Sequence, residues 1–147
     1  MRNGIKEVLQ EFFSKYMNLL PKRRLPRAVP SAEEAILPFN PADYSIEPRT
    51  LKHMIEQKKS IVLLDVRDEW EYRIAHIDHA QCIPLGELPR RGRELNPYAE
   101  IVVYCHRGMR SLDAAYLLQQ LGFKRVRSLV GGIVRWASEI DPDLPRY

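Results

Sequence analysis

The residues most able to do chemistry are Cys105, His106, Arg107, Gly108, Met109, Arg110 and Ser111. A cysteine opens the run, and two arginines, a histidine and a glycine follow within six positions. Ile101–Tyr104 before it is an apolar, partly β-branched stretch, as expected of a strand buried on both faces of a parallel sheet. After it, Ser111–Leu121 reads as a helix, with Leu112, Ala115, Leu118 and Leu121 at helical spacing and Gly122 as a stop signal. The chain must therefore turn from strand to helix between Cys105 and Arg110. So tight a turn directs unpaired backbone N–H groups into one small space, at the positive end of the helix dipole. An anion belongs there, and a cysteine held there is expected to be largely thiolate. His106, Arg107 and Arg110 add positive charge. The implied chemistry is a nucleophilic sulfur with a cradle for an anion. The plainer reading, a buried and inert strand-end cysteine, does not account for two arginines and a glycine immediately after it.

The elements that must position this loop follow from patterning. Ser45–Ile46 reads as a brief strand, and Glu47–Gln57 as a helix with Pro48 in its first turn. Ile61–Leu64 is a second strand ending in Asp65, Val66 and Arg67. Asp68 is placed to cap a short helix running to Ala75. Gln81–Pro84 is a third strand, Gly86–Leu95 a loose helical segment around Pro89, and Asn96-Pro97 a turn. Val126–Leu129 is a further strand, Gly131-Gly132 a turn, and Ile133–Ile140 a last helix. Residues 141–147 should be irregular. Strands alternating with helices predict an α/β fold with a mainly parallel sheet. In such sheets ligands bind beyond the carboxyl ends of the strands, where Cys105 stands.

Upstream, residues 4–19 read as an amphipathic helix within an N-terminal segment 1–20. Its wide apolar stripe of Ile5, Val8, Leu9, Phe12, Phe13, Tyr16 and Leu20 needs a partner. The default is the domain itself; a second copy, giving a homodimer, or another protein are the alternatives. Residues 21–43, with five prolines and a basic cluster, read as an extended linker. The compact domain is then 44–147.

Composition excludes several classes. Two cysteines, Cys82 and Cys105, make no disulfide framework, and neither has metal-ligand spacing to another Cys or His. A reducing compartment, the cytoplasm, is expected. No apolar run reaches the ~20 residues of a membrane span, and Lys6, Glu7 and Glu11 interrupt any secretory signal. Net charge is +4. The excess sits at Lys22–Arg27 and Arg90–Arg93, without interleaved aromatics or a nucleic-acid motif, so solvated surface is preferred over nucleic-acid binding.

Four motifs in order carry a family resemblance. Residues 45–138 resemble a single rhodanese domain, the fold of thiosulfate and persulfide sulfurtransferases. The opening motif is matched by Leu64-Asp65-Val66-Arg67 with Glu69 and Glu71-Tyr72. The His-Ile signature is matched by His76-Ile77 with Ala80, the active-site loop by Cys105 to Ser111, and the closing signature by Gly131-Gly132-Ile133 and Trp136. His79 stands where the family usually has glycine. The resemblance implies a five-stranded parallel sheet, no cofactor and no metal, and a double displacement. Cys105 would take a sulfane sulfur from thiosulfate or a persulfide donor and pass it to a thiol or a sulfur-carrier protein.

On that resemblance Cys105 is the nucleophile, and the N–H groups of His106, Arg107, Gly108, Met109, Arg110 and Ser111 form the cradle. Arg107 and Arg110 are cations for the donor. Gly108 permits a backbone angle that a side chain resists. Ser111 caps the following helix or, as the second choice, donates to the persulfide. Asp65 and Arg67 are a structural pair beneath the loop, His76 belongs to the scaffold, and Cys82 is core or, as a minority reading, a resolving thiol. Phosphatases and arsenate reductases have similar loops, but with five residues between Cys and Arg. Here there are four, a tighter loop suited to sulfur. A non-catalytic binding module is the other alternative, set against the intact cysteine. The tail from Trp136 to Tyr147 resembles the end of rhodanese domains fused to adenylating enzymes that serve sulfur-carrier proteins.

Overall fold

The computed structural model describes residues 40–147. The expected N-terminal helix, and with it the homodimer, lie outside the described residues, as does most of the linker. Residues 41–43, expected to close that linker in extended form, instead lie in a 3-10 turn, Pro41–Tyr44, whose Ala42 N–H is met by the Asn40 side chain and whose Asp43 N–H by the Asn40 carbonyl. Proline at the first position and an asparagine cap favour such a turn over extended chain.

Five parallel strands form one sheet in the order β1-β5-β4-β2-β3. They are β1 Ser45–Ile46, β2 Ile61–Asp65, β3 Gln81–Cys82, β4 Glu100–Tyr104 and β5 Val126–Leu129. The helices are α1 Pro48–Glu56, α2 Glu69–Ile74, α3 Leu88–Arg91, α4 Met109–Gln120 and α5 Gly132–Glu139, with short 3-10 turns on either side of α3. β4 lies at the centre, paired with β2 and β5 along its length.

The apolar run of β4 is continuous because both of its faces are covered. Ile101, Val103 and Cys105 pack into one core with Ala114, Leu117 and Leu118 of α4. Val102 and Tyr104 point the other way, into a core with Leu51 of α1 and Ile133 and Trp136 of α5. Alternate residues of a strand face opposite sides, so a strand between two helical layers has no polar face to show. The Tyr104 hydroxyl is buried but satisfied by the Ile77 N–H at 3.1 Å.

Two expectations shift at element ends. α4 begins at Met109, not Ser111, because Gly108 takes a left-handed angle (φ +102°) and forms its N-cap. Ser111 is thus inside the first turn and does not cap the helix. His79, where the family has glycine, also takes a left-handed conformation (φ +66°) in the turn before β3. Histidine tolerates that region better than most side chains do, so the turn is kept. Among the described residues no helix is long and apolar enough to cross a membrane.

Candidate active site

Cys105 follows the last residue of β4 and is 1% exposed. Its Sγ accepts N–H bonds from Gly108 at 3.0 Å and Ser111 at 3.4 Å, and the Ser111 hydroxyl lies 3.4 Å away. That hydroxyl is itself fixed by Ser128 of β5 at 2.7 Å. The loop from Cys105 to Arg110 therefore curls around the sulfur, with α4 starting beside it. Donors on a sulfur at a helix N-terminus stabilise negative charge there. Met109 and Arg107 stand outward, largely exposed.

The far side of the loop is held by α5. The Cys105 carbonyl accepts from Ile133 N–H at 2.9 Å and the His106 carbonyl from Val134 N–H at 3.1 Å. Unpaired donors of a helix first turn thus meet two loop carbonyls. The approach is so close that a Cβ on Gly132 would lie 2.4–2.5 Å from those carbonyl oxygens.

Beneath the loop, Asp65 and Arg67 form a fully buried ion pair, with Nη2 2.6 Å from Oδ2. Arg67 also donates to the Ala75 carbonyl at 2.6 Å and the Tyr147 hydroxyl at 2.8 Å. Burial acts to lower the Arg67 pKa, but Asp65 outweighs it and the guanidinium stays charged. His76 belongs to the scaffold: its Nδ1 lies 2.9 Å from the Tyr72 carbonyl and its ring stacks on Tyr72.

Two of the three expected charges behave differently. Arg110 is not free for an anion, because it makes a two-pronged pair with Glu71 at 2.8 and 2.9 Å. His106 supplies no cation at neutral pH: burial, then the charge of Arg107, holds its imidazole below the ordinary value. Its Nδ1 is buried and has no hydrogen-bond partner among the described residues. Arg107 is left as the exposed cation on the loop, with no carboxylate of the described residues in pairing range. Cys82 is not placed to form a disulfide with Cys105. β2 separates β3 from β4, and Asp65 is in register with both Cys82 and Tyr104. Two strand spacings put the cysteine backbones about 9–10 Å apart, beyond the ~7 Å a disulfide spans. Burial, with Asp65 and Glu69 next, also pushes the Cys82 thiol up to about 11, so it is protonated at neutral pH.

Two residues of the site escaped the sequence reading of roles. Glu71, nearly buried, accepts from Arg110 and from the Asp68 N–H at 2.9 Å, the second being one half of a capping box for α2. Tyr147 gives its hydroxyl proton to Glu71 at 2.8 Å and sets its ring 4.6 Å from that of His106. The spacing Asp68-x-x-Glu71 was the visible signal for Glu71; for Tyr147 there was only the resemblance of the tail, which points to no contact with the loop. Between the loop at His106 and Arg107, the α5 face at Ile133, Val134 and Ala137, and the tail at 145–147 lies a cleft of about 120 Å³.

Burial alone would raise the Glu71 pKa. Arg110, the Asp68 N–H and Tyr147 outweigh it and bring it from 4.5 to about 2. A carboxyl lowered on folding contributes stability above its unfolded value, and that contribution is lost as pH falls through the folded one. The stability advantage of the native protein over Glu71→Gln is therefore expected to shrink between pH 4.5 and 2. Urea unfolding at a series of pH values measures it; an advantage constant across that window would refute the assignment.

The rhodanese-like domain family model matches residues 47–139. Among curated relatives, the probable adenylyltransferase/sulfurtransferase MoeZ of Mycobacterium tuberculosis is 38% identical over 106 residues, covering 70% of this chain and 27% of that protein. The putative sulfur carrier protein YrkF of Bacillus subtilis is 38% identical over 96 residues, 65% of this chain and 52% of that one. The chain thus spans about a quarter to a half of the length of these two relatives. Among solved structures, a rhodanese-related protein of Thermoplasma volcanium superposes with TM-score 0.60 at 31% identity, covering 65% of this chain and 92% of the other. The rhodanese-like domain of an Anabaena protein gives 0.61 at 27% identity, covering 71% and 85%. A family model over well more than half of the sequence, and a solved relative matched over nearly its whole length, agree with the loop geometry: the chain belongs to the rhodanese-like domain family.

Proposed function

We propose that this chain is a sulfurtransferase that moves a sulfane sulfur through a persulfide on Cys105. The observation that carries the reading is the Cys105 sulfur itself, buried at a strand end with N–H donors from Gly108 and Ser111 upon it. In the first half-reaction the thiolate attacks the sulfane sulfur of thiosulfate or of a persulfide. The donor S–S bond breaks, and sulfite or a thiolate leaves with the bonding pair. In the second, an acceptor thiolate attacks the outer sulfur, and the pair returns to Cys105. Covalent catalysis of this kind divides one transfer into two easier ones. The cradle N–H groups serve both, because both place negative charge on sulfur at the same spot.

With Arg110 occupied by Glu71, the donor meets Arg107 and the loop N–H groups. Four residues between Cys105 and Arg110, one fewer than in phosphatase loops, also favour sulfur over phosphate or arsenate. Similarity to a putative sulfur carrier protein and to an adenylyltransferase/sulfurtransferase supports a sulfur-carrier protein as acceptor, with a small thiol as the alternative. A free, unpaired pair of cysteines fits the reducing cytoplasm.

Intact-mass analysis after incubation with thiosulfate, and separately with a persulfide donor, tests the reading. The native protein should gain about 32 Da, one sulfur atom, and lose it to cyanide or dithiothreitol. Cys105→Ala should gain nothing. Absence of the gain with both donors would overturn the proposal and leave a binding module.

A further inference from the structure

We propose that Tyr147 is a positioning residue for sulfur transfer, acting through Glu71 and Arg110 on the loop that carries Cys105. The inference rests on the sulfurtransferase reading and adds a residue that no loop motif contains.

Tyr147 lies in the irregular tail after α5, yet it is held over the site. The tail turns back through Asp141 N–H on the Trp136 carbonyl and Leu144 N–H on the Asp141 carbonyl, and Leu144 packs on the core under α5. The Tyr147 hydroxyl then takes a proton contact from Arg67 Nη1 and gives one to Glu71 Oε1, each at 2.8 Å. A phenol does both because it is donor and acceptor at once. Its ring tilts over His106, the residue next to the nucleophile, and meets Trp70 edge-on at 5.8 Å.

These contacts lead to the sulfur by a short route. Glu71 grips both Nη atoms of Arg110. The next residue, Ser111, presents its N–H and hydroxyl to Sγ. Without the phenol, Glu71 loses a donor, and Arg67, fully buried, loses an acceptor. The carboxylate that orients Arg110 then keeps the Asp68 N–H on Oε2 but has only Arg110 itself on Oε1, so the grip on the first turn of α4 is looser. Small misplacements of a reacting group cost rate far more than stability. Tyr147 itself is 42% exposed and fills no core, so little fold stability depends on its ring.

The test uses the full chain, loaded with sulfur on Cys105 and discharged in a single turnover to dithiothreitol at several concentrations. Compared are the native protein, Tyr147→Phe, Arg110→Lys, the double variant, Glu71→Gln and the exposed control Tyr98→Phe, with a thermal melt of each. Tyr147→Phe should discharge about tenfold more slowly at saturation, with an unchanged half-saturation concentration and a melting temperature only modestly lowered by the acceptor that Arg67 loses. Adding Tyr147→Phe to Arg110→Lys should cost little more, since both act on one contact. Glu71→Gln, which removes the charge that Tyr147 and Arg110 share, should slow discharge in the same way even if Tyr147→Phe proves unstable. A native rate in Tyr147→Phe, the full tenfold loss repeated on top of Arg110→Lys, or a native rate in Glu71→Gln would overturn the proposal. A native protein that takes no sulfur from any donor would instead sink the sulfurtransferase reading itself.

Discussion

Asp65→Ala should cost this domain about 3–5 kcal/mol, the scale for stranding one member of a buried ion pair. Both carboxylate oxygens of Asp65 are engaged by Arg67, from its backbone N–H and Nε at 3.0 Å on Oδ1 and from Nε and Nη2 at 3.1 and 2.6 Å on Oδ2. Neither side chain is exposed to water. Removal of the acid leaves a guanidinium with the Ala75 carbonyl and the Tyr147 hydroxyl but no counter-charge. It cannot shed its proton, and moving it to solvent would tear the segment between β2 and α2 from the sheet. Two elements then loosen together: the entry to α2, which carries Glu71, and the end of β2 beside β4. Chemical denaturation gives the loss directly, and a loss under 1 kcal/mol would contradict this account. Replacing both partners with apolar residues, as in Asp65→Leu with Arg67→Met, should cost less than the single change, because no buried charge is left.

Gly132→Ala should cost about 2–5 kcal/mol and remove most of the proposed sulfur transfer. Two penalties act at one position. The residue sits at φ +59°, where an alanine loses about 1–2 kcal/mol relative to glycine. Its new methyl would also lie 2.4 Å from the His106 carbonyl oxygen and 2.5 Å from that of Cys105. Those atoms are backbone, so no side chain can swing aside, and overpacking of this kind adds about 1–3 kcal/mol. Relief requires α5 to back away, which breaks the bonds from Ile133 and Val134 to the loop. Gly122→Ala is the contrast: it too has a positive φ, +99°, but open space around the site of a Cβ. It should lose the strain term only and keep activity. Equal activity losses in the two variants would show that the clash at the loop is not the cause.

The parts of this fold legible in the sequence are those set by local pattern. β4 was legible because its run of apolar residues needs two covered faces, and α4 because its leucines and alanines repeat at helical spacing. The loop that closes around the Cys105 sulfur was legible from the residue types packed into one turn. α4 starts two residues earlier than its helical spacing indicates, since Gly108, whose special backbone angle the sequence does point to, also supplies the N-cap. The charge balance was missed for a different reason. Arg110 looked like an anion receptor, but Glu71, 39 residues earlier, occupies it. Tyr147 reaches Glu71 across 76 positions. Nothing in local periodicity encodes such a contact; it exists only once the sheet order has brought the end of β2, α2 and the tail around one strand end. The minority reading of Cys82, as a disulfide partner of Cys105, meets the same obstacle, because strand order decides which cysteines are neighbours.

The attachment of the Cys105 and His106 carbonyls to α5 also bears on the energy of reorganisation. A peptide plane whose oxygen is tied down on one side cannot flip to follow a passing charge. The polarity of the loop interior is therefore built in at folding, before any donor arrives. In water, moving a charge from donor to thiol to acceptor would require the solvent dipoles to turn at each step. Here they are replaced by dipoles that already point the right way and stay so. Such a site favours neither half of the proposed transfer over the other, so the direction of sulfur flow is left to the relative concentrations and affinities of the molecules that bring sulfur and take it away.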